Sequence, residues 1–221
     1  MTGTEELAPI GDPIWESIFD HPMVRQLGDG TLNEEPFRYW VRQDYIYLTE
    51  YARLFAHGVT KAPNMTQMGT FAELLESTLN TEMDLHRAYA AEFGINESEL
   101  ESTKPSPTTQ AYTDFLIRTA ATGTFGDLVT ALLPCMWGFN ITGKRLADRG
   151  KPDHKGYAEW IDTYAGEEFT ELTERCKGLM NDVWAEGTPA QRDRYRELFR
   201  TSARYEYRFW DAAWRQEGWE I

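Results

Sequence analysis

The amino-acid sequence predicts an all-α protein, folded as a single-domain helical bundle. Almost every segment carries helical signals, with apolar residues spaced by three and four and capping residues where such runs begin. No alternating strand pattern of useful length and no Asn-Gly hairpin turn is present. The sequence also contains no internal repeat, low-complexity tract or linker. We therefore expect one domain over residues 1–221, with a short polar N-terminal tail at about 1–11.

Start and stop signals define the helices of the first half. Asp12 followed by Pro13 is a helix cap with a proline in the first turn. Asn64 and Gln67 have the spacing of a capping box. These signals and the apolar spacing predict helices from about 12 to 28, 33 to 62 and 64 to 94.

The second half continues in the same way after one loop. The stretch "INESELESTKPSPTT" is rich in Ser, Thr and Pro and predicts a loop with one short turn. Pro134 should kink the helix that contains it, and Thr188-Pro189 opens the last helix. The predicted helices run from about 109 to 121, 126 to 149, 153 to 184 with an interruption near Gly166, and 188 to 217.

Composition and charge exclude several classes of function. Hydrophobic residues make up 41% and aromatic residues 14%, which indicates a globular chain. No apolar run is long enough for a membrane span, and the N-terminus lacks the features of a secretory signal, so we expect a cytoplasmic protein. The net charge is −14 without a Lys/Arg cluster, which argues against nucleic acid and anionic membranes as partners. Such an acidic, lysine-poor chain also raises the hypothesis of a salt-loving source.

Two carboxylates interrupt apolar helix faces. Asp44 shares a face with Trp40, Tyr47, Tyr51 and Phe55, at spacings of four, three, four and four. Glu206 interrupts a similar face, formed by Phe199, Ala203, Trp210 and Ala213. A buried carboxylate is costly unless it is paired or hydrogen-bonded. Either each acid pairs with an arginine such as Arg42 or Arg208, or the two faces line a polar interior.

Cys135 also lies on an apolar helix face, with Leu128, Leu132 and Phe139. A lone buried cysteine usually acts as a small hydrophobe, yet the proline before it marks a position where functional sites occur. Catalysis by Cys135 therefore stays open at this point. Tyr112 and Tyr164, taken alone, are compatible with ordinary core tyrosines.

No metal site is predicted. Glu82 and His86 are one helical turn apart, a spacing that can ligate a metal. A di-iron bundle needs further Glu and His residues on facing helices, and His21, His57 and His154 stand in unrelated contexts. Structural hydrogen bonds are the favoured interpretation of Glu82 and His86. No glycine-rich phosphate loop or GxSxG motif is present either.

Five stretches together resemble the TenA family, also called thiaminase II. They are "FRYWVRQDYIYLTEYARLFAHGVTKAP", "TEMDLHRAYAAEFGI", "ALLPCMWGF", "YAEWIDTYAGEEF" and "YEYRFWDAAW", in this order, and the resemblance extends from about Pro13 to Trp214. It implies a haem-oxygenase-like helical bundle without haem, usually a homotetramer. It also implies hydrolysis of aminopyrimidines, thiamine or 4-amino-5-aminomethyl-2-methylpyrimidine, to 4-amino-5-hydroxymethyl-2-methylpyrimidine for thiamine salvage, without a cofactor.

The resemblance assigns roles to residues of this chain. It implies Cys135 as nucleophile and Glu206 as catalytic acid or base, in the cysteine-bearing group of the family. The substrate-binding positions that it implies are Asp44, Tyr47, Tyr112 and Tyr164. Phe139 departs from the family pattern, which has tyrosine there, so the preference between substrates is open. Cys176 matches no functional element and is expected to be structural.

Two other functions remain as alternatives. The chain could be a different enzyme on the same bundle, such as a relative of the pyrroloquinoline-quinone synthesis oxidase or a di-iron oxygenase, although the shortage of histidines argues against both. It could also bind pyrimidine or thiamine without turnover, in a regulatory role, and Phe139 is the residue that keeps this alternative open.

Overall fold

The computed structural model describes residues 1–220, apart from the side chains of residues 81 and 85. Over that range the chain is helical, without a strand, and the all-α prediction is confirmed. The helices are α1 (Gly3–Phe19), α2 (Pro22–Asp29), α3 (Glu34–Lys61), α4 (Met65–Glu76), α5 (Met83–Glu92), α6 (Glu97–Ser102), α7 (Pro107–Thr122), α8 (Phe125–Arg149), α9 (Lys155–Ala165), α10 (Glu167–Glu186) and α11 (Pro189–Arg215). A π-helical segment, Ser77–Glu82, joins α4 to α5.

The N-terminal segment differs from its prediction. Residues 1–11, expected as a polar tail, are helical from Gly3 onward. A reciprocal capping box starts this helix: Glu5 donates its backbone N–H to the Thr2 hydroxyl at 3.3 Å, and Thr2 donates its N–H to the Glu5 carboxylate at 2.8 Å. Two orphan backbone donors are satisfied in this way, so the helix begins well before the proline that was expected to open it.

The predicted helix over 12–28 is therefore wrong in its bounds. Pro9 and Pro13 lie inside α1 on its exposed side, where solvent can hydrate the carbonyls that lose an N–H partner. The chain then breaks at His21, whose ring accepts the Met23 N–H at 3.2 Å and so caps α2. Pro22 follows as the first residue of that helix.

The remaining predicted helices agree with the structure to within two residues at each end. The helix over 64–94 contains the π-helical segment, which its sequence pattern did not predict. In that segment Thr78 donates its hydroxyl hydrogen to the Glu82 carboxylate at 3.3 Å. A π turn adds a residue to the helical repeat and frequently occurs at functional sites. The added residue rotates the side chains of α5 about the helix axis relative to those of α4, and so decides which of them point toward α3. The kink at Pro134 stays a prediction.

The described residues form two compact units. One consists of Met1–Leu32 and Val129–Asp211. Its core includes Trp15, whose ring lies 4.8 Å from Trp137 and 6.1 Å from Phe199, measured between centroids. These contacts join α1, α8 and α11 in one apolar cluster.

The other unit consists of Asn33–Leu128 and residues 212–220, and its core lies along α3. Gly58 allows α3 and α4 to approach closely, because a Cβ there would lie 2.1 Å from a ring carbon of Phe71. Lys61, at the end of α3, donates to the carbonyl of Gly123 at 2.6 Å and so fixes the end of α7. None of the helices that the structure describes combines the length and apolar composition of a membrane span.

Candidate functional site

Cys135 lies midway along α8, in a stretch where residues 126 to 140 are all buried. Its side chain keeps 9% of its surface exposed, and it is a reduced thiol. Pro134 supplies no backbone N–H, so α8 lacks one internal hydrogen bond in the turn that leads to the thiol. Cys176 on α10 is also a reduced thiol and is fully enclosed. Both thiols are buried, and Cys135 keeps a little more exposed surface than Cys176.

The turn of α11 before Glu206 is bound to α8 by a contact that the sequence did not reveal. Its side chain is only 2% exposed, within the apolar face that was predicted. One turn earlier, Ser202 donates its hydroxyl hydrogen to the Ala131 carbonyl of α8 at 2.6 Å. Ala131 stands one turn before Cys135, so this bond joins the two helices one turn before each candidate residue. It fixes the register between the helices that carry Cys135 and Glu206.

Phe139 and Tyr164 lie together in an aromatic cluster. Their ring centroids are 4.9 Å apart, and Phe139 also stacks on Trp210 at 5.6 Å with 29° between the planes. Trp160 contacts Tyr164 at 4.6 Å. Flat side chains from α8, α9 and α11 thus form one apolar wall, of the kind that accepts a planar ring.

The position of Tyr164 depends on two small features of α8. Asn140 donates to the Tyr164 carbonyl at 2.9 Å and to the Thr170 hydroxyl at 3.0 Å. Gly143 gives room for the same part of α9, since a Cβ there would lie 2.7 Å from the Tyr164 carbonyl carbon. Together they hold the end of α9 close against α8.

Asp44, Tyr47 and Tyr112 lie in the other compact unit. Asp44 is 5% exposed, and both tyrosines are buried. The Tyr47 ring lies 5.2 Å from Tyr112, which brings α3 and α7 together at the predicted positions, and 5.2 Å from Tyr51. The predicted acid therefore stands beside an aromatic stripe, as its helical spacing indicated.

Gln43 fixes the loop that leads into α7. Its amide donates to the Lys104 carbonyl at 3.1 Å, and its amide oxygen accepts the Ser106 N–H at 2.9 Å. Ser106 in turn caps α7, the helix of Tyr112. Sequence reasoning missed Gln43 and Ser202, although each neighbours a predicted face. The sequence signal that could have identified Gln43 and Ser202 is a polar residue at the edge of an apolar helix face.

His86 is a basic side chain that contacts Asp44. Its Nδ1 lies 3.6 Å from Asp44 Oδ2, and its Nε2 lies 2.7 Å from the Val41 carbonyl oxygen. Burial lowers the pKa of His86 to about 4, so the ring is neutral at pH 7. Arg42, one of the two arginines suggested as partners for the two acids, bonds Glu99 at 2.6 Å and lowers the pKa of that half-buried carboxyl.

The pair of Glu82 and His86 makes structural hydrogen bonds. His86 bonds Val41, and Glu82 accepts from Thr78. Within residues 1–220, side chains 81 and 85 aside, no three His, Cys, Asp or Glu side chains converge in a way that could hold a metal ion.

A sequence model of the TENA/THI-4/PQQC family matches residues 10–216. The chain belongs to this family. With that membership, the resemblance to TenA proteins that the sequence motifs indicate is confirmed. This TENA/THI-4/PQQC chain is 41% identical over 220 residues to a protein of Halalkalibacterium halodurans named aminopyrimidine aminohydrolase, and the match covers 99% of this chain and 98% of that protein.

Two solved structures show the fold of this TENA/THI-4/PQQC chain. The TenA homologue from P. horikoshii OT3 superposes with a TM-score of 0.90 at 31% identity, covering 97% of this chain and 99% of that one. A domain of unknown function from Shewanella denitrificans OS217, with a heme oxygenase-like fold, has a TM-score of 0.74 at 16% identity, covering 96% and 92%. The second likeness shows the fold alone. It confirms the predicted haem-oxygenase-like architecture.

Proposed function

We propose that this protein hydrolyses aminopyrimidines and releases 4-amino-5-hydroxymethyl-2-methylpyrimidine for thiamine salvage. The observation that carries the proposal is the 41% identity, over 99% of the chain, to a protein named aminopyrimidine aminohydrolase. The candidate residues support it, because Cys135, Asp44 and Glu206 interrupt apolar faces in the structure as they do in the sequence. The substrate is thiamine or 4-amino-5-aminomethyl-2-methylpyrimidine.

The proposed nucleophile is Cys135. A pyrimidine does not readily expel an amine from the methylene carbon on C5, because the ring electrons that would have to be supplied are delocalised in the aromatic ring. If the Cys135 thiolate adds at C6, the new C–S bond breaks the aromaticity, and the ring electrons expel the leaving group from the methylene carbon. Water then adds to the exocyclic methylene, and the thiolate leaves as the ring becomes aromatic again. Covalent catalysis of this kind divides one difficult step into easier ones.

The proposed proton donors and acceptors are the two buried carboxyls. Glu206 is assigned as the group that moves protons to the leaving amine and from the attacking water, an aid that commonly gives about 10²–10⁴-fold. Asp44 is assigned as the anchor of the ring nitrogens and amino group. Tyr47 and Tyr164 would stack on or hydrogen-bond the substrate, and Tyr112 would position water or the thiol.

Phe139 bears on the choice of substrate. It packs on Tyr164 and Trp210, so it presents a ring without a hydroxyl in the aromatic cluster. We propose that it binds the substrate by apolar contact. None of the steps needs a redox group or a metal, so we expect no cofactor. The resemblance further leads us to propose a homotetramer in the cytoplasm, and light scattering would test the tetramer.

The test is the hydrolysis of 4-amino-5-aminomethyl-2-methylpyrimidine, with thiamine in parallel, at low and at molar salt. We expect the wild-type protein to form the hydroxymethyl product, Cys135→Ala to fall to the background rate, and Cys176→Ala to retain turnover. Tight pyrimidine binding without turnover at either salt concentration would contradict the hydrolase and favour a binding protein. Full activity in Cys135→Ala would remove the assigned nucleophile.

A further inference from the structure

We propose that His86 is a positioning residue for Asp44, and that its Nδ1 holds the Asp44 carboxyl in the orientation that binds the aminopyrimidine. That Asp44 binds an aminopyrimidine rests on the proposed function. That His86 holds Asp44 rests on the position of the His86 ring in the structure.

The His86 ring is fixed at one end by a backbone bond. Its Nε2 lies 2.7 Å from the Val41 carbonyl oxygen on α3, and the side chain is only 8% exposed. A carbonyl oxygen accepts hydrogen bonds and cannot donate them, so Nε2 carries the hydrogen. A ring tied in this way and enclosed by neighbours cannot turn to exchange its two nitrogens. Nδ1 therefore points permanently to the same place.

That place is the Asp44 carboxyl, one turn along α3 from Val41. Nδ1 lies 3.6 Å from Asp44 Oδ2. Because the ring is neutral and carries its hydrogen on Nε2, Nδ1 presents a lone pair, and a proton on Asp44 Oδ2 directed at that lone pair makes the contact a hydrogen bond. The separation is a few tenths of an ångström too long for that bond. Contacts of this kind often tighten only when the ligand is bound.

The neighbouring charged groups have partners of their own. Arg87, next to His86 on α5, bonds Asp84 at 2.7 Å and lies 3.5 Å from Glu97. The aromatic rings of Trp40 and Tyr45 on α3 flank His86, at 6.3 and 6.1 Å between centroids. Asp44 is an acidic group in contact with the imidazole. The π-helical segment directly before α5 sets the face from which His86 reaches it.

A merely structural role would consist of the Val41 bond alone, which ties α5 to α3. Two substitutions separate the two roles, because each retains one end of the imidazole. His86→Gln can place an amide at the position of Nε2 and keep the bond to Val41. His86→Asn can place an amide at the position of Nδ1, facing Asp44, but cannot reach Val41.

The first measurement is pyrimidine affinity and turnover in these variants. His86→Gln is expected to raise the Kd of the hydroxymethylpyrimidine and the KM of the aminomethyl substrate about tenfold to a hundredfold. kcat should change by less than about threefold, as for a lost binding interaction. His86→Asn is expected to bind within about threefold of wild type, despite a lower melting temperature from the lost Val41 bond. Wild-type affinity in His86→Gln together with weak binding in His86→Asn would overturn the proposal.

His57→Gln is the matched control, since His57 is a half-buried histidine on α3 that takes no part in the proposal. It should leave Kd, KM and kcat at their wild-type values. The same loss of affinity in His57→Gln as in His86→Gln would show a general effect of histidine replacement on α3, and would overturn the specific role of His86.

Nitrogen-15 NMR of the imidazoles tests the contact without relying on turnover or on the folding of His86→Asn. The chain has four histidines, and the signals absent from His86→Gln identify His86. We expect a protonated Nε2 and an unprotonated Nδ1 at pH 7, with Nδ1 moving toward the protonated shift when hydroxymethylpyrimidine binds. A protonated Nδ1 beside a bare Nε2, or an Nδ1 signal unchanged at saturation, would overturn the inference.

The experiments distinguish failure of the proposed function from failure of the His86 proposal. A wild-type protein that neither hydrolyses nor binds the pyrimidine would refute that function. The Nδ1 signal of ligand-free His86 would still decide the contact, because it should move in Asp44→Asn. An unchanged signal in that variant would overturn the His86 proposal on its own.

Discussion

Acid should destabilise this protein through His86, and His86→Gln should remove that part of the acid sensitivity. Burial lowers the pKa of His86 from 6.5 to about 4, and the bond to the Val41 carbonyl opposes this shift only in part. Between these pH values the unfolded chain binds a proton at this residue and the folded chain does not. The free energy of unfolding therefore falls as the pH falls. The contribution is complete above pH 6.5 and lost below about pH 4.

The size of the effect follows from the same two values. The difference between 6.5 and about 4 corresponds to about 3 kcal/mol of unfolding free energy, of which about 2 kcal/mol is lost between pH 7 and pH 5. This is a large share of the roughly 5–15 kcal/mol by which domains are stable. It should therefore be measurable above the uncertainty of a denaturant titration.

The assay is urea unfolding at pH 7, 6 and 5 for wild type, His86→Gln and His57→Gln. The advantage of wild type over His86→Gln should shrink by about 2 kcal/mol across this range, and His57→Gln is the control for replacing a histidine on α3. Groups other than His86 titrate in both wild type and His86→Gln, so they cancel in the comparison of these two proteins. A constant advantage would refute burial as the cause. An advantage that grows toward pH 5 would mean that the folded state holds the charged imidazolium.

Two further predictions concern the contacts that position candidate residues. Ser202→Ala should lower the free energy of unfolding by about 1–3 kcal/mol, because the buried Ala131 carbonyl loses the Ser202 hydroxyl as a partner. Urea unfolding measures this loss beside the half-buried control Thr201→Ala. Equal stability of the two variants would contradict the role of the bond. Gly143→Ala should cost about 1–3 kcal/mol because its Cβ would meet the Tyr164 backbone at 2.7 Å. Gly178→Ala, in an exposed part of α10 with no atom within 4 Å of the new Cβ, should instead gain about 0.5–1 kcal/mol. Thermal melts of both glycine variants give the two signs, and a stabilised Gly143→Ala would refute the close packing of α8 on α9.

The helices could be predicted because their signals are local. Apolar spacing and capping residues lie within a few positions of each other, so most helices from α3 onward follow from short windows of sequence. The exception is α6, a helix in a stretch that was predicted to be a loop with one short turn. The N-terminal helices are the instructive failure. Pro13 was interpreted as a first-turn residue, whereas prolines on an exposed helix face are tolerated once a capping box has started the helix upstream.

The candidate residues could be predicted only in part. Asp44 and Glu206 were identifiable as acids on apolar faces, and both are buried as that pattern requires. Their surroundings were not identifiable. Arg42 was suggested as a partner for one of these acids, and in the structure it bonds Glu99, whereas the contact of His86 with Asp44 was not expected.

By itself, the sequence determined the helical architecture, the polar residues that interrupt its apolar faces, and the family whose motifs it carries. Only the tertiary structure decided which residues contact these polar side chains and the helices that carry them. His86 contacts a carbonyl 45 positions away, and Ser202 contacts one 71 positions away. Periodicity states which face of a helix is buried, but the partner of that face depends on packing between segments distant in the chain. Those contacts set the tautomer of His86 and the register of the helices that carry Cys135 and Glu206.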